Sequence, residues 1–297
     1  MLVENKLKLD NSYQKKIILL FCYSRSGGTL LSQLLNSNRE IALLSEINSR
    51  ISVSPSHKVM PTAEVLKEQF SQWHNFTPKG ETIIEILDDV FNSGDFNRKK
   101  IILRDWSFVD FNPSEFNNFS PSNKMNLLEK IEKNFNVKKI ALIRDSIDVC
   151  LSMNADPESF SIYYGSYIDS LIKENVKIYK YEDLVKDSDS FLKNLSFEIG
   201  VENKFDLNNF RSYPATGDNK YKYLSRGQRS NTISKQKRRR VNKDLIKKIN
   251  ICKKIKEINK KNNYPTNYYD NSLETSKEIF IDRLYRTYYK ILKTLGS

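Results

Sequence analysis

The sequence predicts an α/β fold in which a mainly parallel central sheet is flanked by helices. Three observations predict it. Short unbroken apolar runs of strand length recur along the first two-thirds of the chain. Between them lie stretches whose apolar residues fall at helical spacing. A Ser/Gly-rich turn joins the first run to the first helical stretch, giving strand, glycine loop, helix. Strands alternating with helices build parallel sheets with helices on both faces.

The elements follow in order. Lys16 to Tyr23 (KIILLFCY) is continuously apolar, as a strand covered on both faces must be. After the turn at 24–29, Leu30, Leu31, Leu34 and Leu35 keep helical spacing, and Asn36 to Asn38 end the pattern. Ile41 to Leu44 is a weaker strand, Lys100 to Arg104 a better one, and Lys138 to Arg144 and Val176 to Tyr181 complete the set. Pro61 suits the first turn of a helix running to about Trp73. Thr82 to Phe91 is a second helix, and Ser122 is placed to cap a third that covers Leu127, Leu128, Ile131 and Phe135. Phe160 to Glu174 and Ser188 to Ile199 are helical, with Gly200 placed to end the latter. Residues 201–240 read as loop-rich. The lysine-rich remainder is helical, ending in a segment whose apolar face is Ile281, Leu284, Tyr285, Tyr288, Leu292 and Leu295. With no repeat and no clear linker, the expectation is one domain over 1–297. Its α/β core spans 16–200, and 201–297 forms a loop-rich and helical C-terminal extension.

Composition narrows the classes. The 297 residues are 39% hydrophobic and 29% charged, ordinary for a globular protein. No apolar run approaches the roughly 20 residues of a membrane helix, and the first fifteen residues lack a signal-peptide core. The cytoplasm is the expected compartment. Three scattered cysteines, Cys22, Cys150 and Cys252, make neither a disulfide framework nor a zinc spacing, and no metal is expected. The net charge of +13 attracts polyanions: nucleic acid, an anionic membrane or a phosphorylated small molecule. A solvated basic face explains the late lysine runs equally well.

The loop Ser24-Arg25-Ser26-Gly27-Gly28-Thr29 is the first candidate site. A glycine turn between a buried strand and a helix presents free N–H groups, and the helix start adds about half a positive charge. Gly27 and Gly28 allow close approach, Ser26 and Thr29 offer hydroxyls, and Arg25 offers a charged donor. An ordinary strand–helix turn is the plainer reading. The G-x-x-x-x-G-K-[ST] pattern of nucleotide hydrolases is absent, as is G-x-G-x-x-G.

Arg25-Ser26-Gly27-Gly28-Thr29-Leu30 resembles the phosphosulfate loop of sulfotransferases that use 3′-phosphoadenosine-5′-phosphosulfate (PAPS). There the loop reads Arg or Lys, Ser, Gly, Thr, Thr. Gly28 stands where that family carries its first threonine. The later stretch KKIALIRDSIDVCLSM adds Arg144 and, eight residues on, Ser152. The resemblance assigns these to the 3′-phosphate, and Asp145 and Asp148 match its R-D-x-x-D pattern. Tyr181-Glu182-Asp183-Leu184 resembles a Y-E-D-L stretch with a structural role. Arg226 and Gly227 are candidates for the family's late basic loop over the 3′-phosphate, with the run Gln236 to Arg240 competing. The resemblance implies a P-loop-like fold, PAPS as cosubstrate, and adenosine 3′,5′-bisphosphate (PAP) as product.

Sulfuryl transfer needs a base. His57 and His74 lack the histidine context of the small-molecule branch. In the branch that includes the tyrosylprotein sulfotransferases, a glutamate lies twenty-one residues after the loop arginine, and that position here is Glu46. The resemblance therefore implies Glu46 as general base, and Arg104 in place of that branch's lysine. An Arg104–Asp105 ion pair is the competing account. Arg25 and the loop N–H groups would meet charge on the departing oxygen. The acceptor, a hydroxyl (or amine) on a glycan, lipid head group, peptide or small metabolite, is not written in the sequence. The stretch 48–98 fits no pattern and is where acceptor contacts are expected. Two other readings stand beside this one: a divergent P-loop phosphotransferase, and a basic nucleic-acid-binding protein for which no motif speaks.

Overall fold

The five apolar runs become the five strands of one sheet in a computed structural model that describes residues 15–56, 58–112, 120–215, 232–234, 238, 241 and 243–268. β1 (Lys16–Cys22) is buried from its second residue on. It turns through the glycine loop into α1 (Gly28–Asn36) and returns as β2 (Ile41–Ile47), buried at every position. A short antiparallel hairpin, β3 (Ser52–Val53) and β4 (Val59–Met60), leads to α2 (Thr62–His74) and α3 (Ile83–Asn92). The chain continues through β5 (Lys100–Asp105), α4 (Phe108–Phe111), α5 (Asn126–Ile131) and β6 (Asn136–Ile143). After α6 (Ser146–Met153) and α7 (Pro157–Lys173) come β7 (Lys177–Lys180), α8 (Tyr181–Lys186) and α9 (Ser188–Ile199). A single 3-10 turn at Phe210–Ser212 follows, and later α10 (Lys243–Ile251) and α11 (Lys253–Lys261).

The sheet order is β2-β5-β1-β6-β7, and all four pairings are parallel. Continuous rather than alternating burial of β1 is the signature of a strand covered on both faces. On one face Ile18, Leu20 and Cys22 pack with Leu31, Leu34 and Leu35 of α1 and with Leu192 and Leu195 of α9. Ile17, Leu19 and Phe21, pointing the other way, are equally buried. β1 leads toward β2 on one side and β6 toward β7 on the other. Their carboxyl ends therefore form the switch point at which open α/β sheets bind ligands.

Local chemistry explains most boundaries. Thr82 lies just outside α3 rather than in it, and with Glu85 it forms a capping box. Gly200 ends α9 in the left-handed conformation at φ 73°, as expected. The helix near Ser122 is shorter than the periodicity predicts. It starts after Met125 and ends at Ile131, so Phe135 falls outside it. Ser122 does not cap it; its hydroxyl accepts from the Asn126 side chain at 2.7 Å.

The chain divides into two compact units, Met1–Ile143 with Asp169–Lys235, and Arg144–Ile168 with Gln236–Ser297. The first holds the whole sheet. In the second, α11 packs on α6, and Gly165 of α7 lies against Ile258. The helix expected around 281–295 lies outside the described residues. Among those that are described, no helix is long and apolar enough to cross a membrane.

Candidate active site

The glycine loop opens α1 at the carboxyl end of β1. Ser26 N–H donates to the Tyr23 carbonyl at 3.2 Å, closing the turn, and Gly27 adopts φ 93° as the residue before the helix. That conformation favours glycine. Space demands it too, since a Cβ on Gly27 would sit 2.3 Å from Cδ2 of Tyr181. Tyr181 of the Y-E-D-L stretch thus seats the loop, a closer tie to the site than its expected structural role. Arg25 is exposed and also left-handed, at φ 69°. The N-cap residue of α1, Gly27, brings no capping side chain. The N–H groups of Gly28, Thr29 and Leu30 therefore find no acceptor within their own helix. Among the described residues, the fully buried Ser26 Oγ has no hydrogen-bond partner.

Glu46 does not follow a strand ending at Leu44, as expected, but lies inside β2. The register against β5 shifts between Leu44 and Ile47, and Glu46 takes φ 57° there. A bulge re-aims one side chain out of the pleat. A left-handed, non-glycine residue persists only where its surroundings enforce it. The carboxylate meets Arg104 on the neighbouring strand, Nη2 to Oε1 at 3.0 Å, and both side chains are nearly buried. Arg104 also donates from Nη1 to Ser32 Oγ of α1 at 3.2 Å. A Cβ on Gly28 would stand 3.0 Å from the same Nη1. Glu46, Arg104 and the first turn of α1 therefore form one contiguous group at the carboxyl end of the sheet.

The competing Arg104–Asp105 pair is not what the structure shows. Asp105 is buried, accepts from Ser107 Oγ at 2.5 Å, and lies close to Asp110. Burial, then Asp110, pushes its carboxyl well above the usual range, against the pull of Ser107. Trp106 is in the core. Cys22 and Cys150 are the buried thiols expected, each pushed up to about 12 by burial, so neither is a nucleophile. Among the described residues, no three His, Cys, Asp or Glu side chains gather as a metal site.

Sequence reasoning missed the residues that hold β2. As the edge strand, it has peptide groups facing away from β5. His74 Nε2 donates to the Leu43 carbonyl at 3.2 Å. Gln69 closes both peptide groups of Ser45, accepting from its N–H and donating to its carbonyl, each at 2.7 Å. Burial lowers the His74 pKa to about 4, so the ring is neutral, and it packs edge-on against Phe96 and tilted against Phe70. His74 is thus a half-buried structural residue that closes the edge of β2.

In the second unit, Arg144 directly follows β6, and Ser152, half-buried, lies near the end of α6. Arg144 Nη2 is 3.9 Å from Asp148 Oδ2. The two aspartates of the R-D-x-x-D pattern also share a partner that the sequence hid in its basic run: Arg238. Its Nε donates to Asp148 Oδ1 at 2.7 Å and its Nη2 to Asp145 Oδ2. Burial raises the Asp145 carboxyl, and Arg238 pulls it back. Asn259 completes the start of α6, accepting from Ser146 N–H at 3.0 Å and donating to Asp145 Oδ1 at 2.8 Å. Arg226 and Gly227 lie outside the described residues, as does His57.

The likeness to solved structures is one of fold. The sulfotransferase domain from the curacin biosynthetic pathway superposes with a TM-score of 0.50 at 16% identity, over 84% of this chain and 98% of that one. The sulfotransferase domain of the Synechococcus PCC 7002 olefin synthase gives 0.47 at 16% identity, over 70% and 80%. Mouse sulfotransferase SULT7A1, complexed with PAP, gives 0.33 at 14% identity, over 63% and 59%. No family model matches the sequence, and no curated protein does.

Proposed function

We propose that this protein transfers a sulfuryl group from PAPS to a hydroxyl (or amine) acceptor. One observation carries the reading. A carboxylate and a guanidinium, paired at 3.0 Å on neighbouring parallel strands, are packed against the first turn of the helix that the glycine loop opens. A base and a cation beside an anion cradle are what transfer of a charged group to a hydroxyl requires.

The residues fit a phosphosulfate. The partnerless Ser26 Oγ, the first-turn N–H groups and Arg25 form a donor set suited to an anion. When bound, PAPS supplies the activated sulfuryl group and a bisphosphate leaving group. Arg25, Ser26, Gly27, Gly28, Thr29 and Leu30 hold the 5′ end. Arg144 and Ser152 are assigned to the 3′-phosphate on their spacing in the sequence. Glu46 takes the acceptor proton onto a carboxylate oxygen. Arg104 fixes the direction of that carboxylate and helps stabilise the transferring group, while Arg25 and the loop N–H groups meet negative charge growing on the departing oxygen.

Calorimetry with PAP against AMP tests the reading. The expected result is a clear preference for the bisphosphate that is lost in Arg144→Ala, at a cost of about 2–5 kcal/mol. Equal binding of the two nucleotides sinks the 3′-phosphate assignment. Release of PAP from PAPS that stops on adding a chelator sinks the metal-free mechanism.

A further inference from the structure

The geometry points to Gln69 as the positioning residue of Glu46, a role that rests on the proposed function. Gln69 lies on α2, in the stretch 48–98 that matches no family pattern, and is fully buried. Its carboxamide spends both ends on one residue, Ser45, which immediately precedes Glu46. Ser45 is the last residue of β2 before Glu46 turns left-handed at φ 57° and the register shifts. On this edge strand the amide supplies the two hydrogen bonds that a further strand would have given.

The consequence is mechanical. A non-glycine residue at positive φ relaxes unless its flanks are pinned. On one side Ile47 pairs with β5, and its carbonyl accepts from Trp106 N–H at 2.7 Å. On the other side the peptide of Ser45 is pinned by Gln69. Together these two anchors hold the bulge, and the bulge aims Glu46 at Arg104.

The carboxamide makes a chemically specific prediction. In Gln69→Glu the side chain keeps its shape. A protonated carboxyl can accept from Ser45 N–H and donate to its carbonyl, whereas an ionised carboxylate can only accept. That variant should regain turnover as pH falls and lose it as pH rises, an ionisation the parent lacks. Gln69→Leu removes both bonds at every pH.

The experiment measures PAP release from PAPS with water as acceptor, PAP affinity by calorimetry, and hydrogen exchange across residues 41–47. Expected are a turnover loss of about 100-fold in Gln69→Leu, the size that misplacing a reacting group carries, PAP affinity within about twofold of the parent, and acid recovery in Gln69→Glu. Unchanged turnover in Gln69→Leu overturns the proposal, as does a Gln69→Glu profile parallel to the parent's, or a loss of PAP affinity matching the loss of turnover. If the parent releases no PAP into water, hydrogen exchange alone decides on Gln69, and if it also binds no PAP, the proposed function falls. Faster exchange at 41–47 in Gln69→Leu supports the clamp, and unchanged exchange removes it.

Discussion

Replacing Arg104 by methionine removes a charge while keeping an elongated side chain of similar reach. Arg104 is 5% exposed and its partner Glu46 9% exposed, so the pair is buried. Removing one partner of a buried pair costs about 3–5 kcal/mol, because the remaining charge loses its compensation in a medium that solvates it poorly. Arg104→Met also forfeits the bond to Ser32 at 3.2 Å. The loss should therefore fall toward the upper end of that range. Adding Glu46→Gln to Arg104→Met removes the stranded charge, so the double variant should be more stable than the sum of the two single losses predicts. Residues in direct contact couple by about 0.5–3 kcal/mol. Urea denaturation of the parent, both single variants and the double variant measures this cycle. A loss below about 1 kcal/mol in Arg104→Met, with a cycle that closes to within about 0.5 kcal/mol, refutes the buried pair.

Three further outcomes are expected. Glu46→Gln should lower turnover of PAPS by about 100- to 10,000-fold while leaving PAP affinity nearly intact, the mark of a general base; normal turnover removes Glu46 from the mechanism. Gly28→Thr places a Cβ 3.0 Å from both Arg104 Nη1 and Cys22 Cβ. It should cost about 1–3 kcal/mol by overpacking, measured by denaturation. His74, lowered to about 4 from an ordinary 6.5, binds a proton in the unfolded chain before it does in the folded one. Its contribution is whole above about pH 6.5 and is lost as pH falls toward 4. At pH 5.5 the deficit is about 1 kcal/mol by linkage, and His74→Gln should not show it. A parent and variant with parallel pH–stability curves rule that out.

What could be read from the sequence follows contact range. β1, the glycine loop and α1 were legible because an unbroken apolar run, two glycines and helical leucine spacing are all local. Gly200 was legible for the same reason. The bulge at Glu46 was not, because bulges of this kind are usually signalled by glycine and here a glutamate takes the left-handed angle. Gln69 reaches Ser45 across 24 positions, and a glutamine on a helix carries no mark of its partner. Arg238 meets Asp145 across 93 positions from within a basic run, where composition favours a solvated face. The motif spacings name candidate residues. The contacts that aim them depend on which elements the fold sets side by side.

The departure at position 28 and the arginine at position 104 are one feature once seen in three dimensions. By resemblance, the second residue of the loop's Gly-Gly pair should be a threonine, so glycine there removes one hydroxyl from the loop. In the structure the volume a side chain at 28 would enter is taken by Nη1 of Arg104 and by Cys22. A guanidinium donor therefore stands within reach of the helix start where a hydroxyl would have been. The same group turns Nη2 to Glu46. With glycine at 28, one arginine reaches both the start of α1 and the Glu46 carboxylate. Threonine at 28 should therefore press on both ends of that link, shifting the packing of the loop and, through Arg104, the direction of the Glu46 carboxylate.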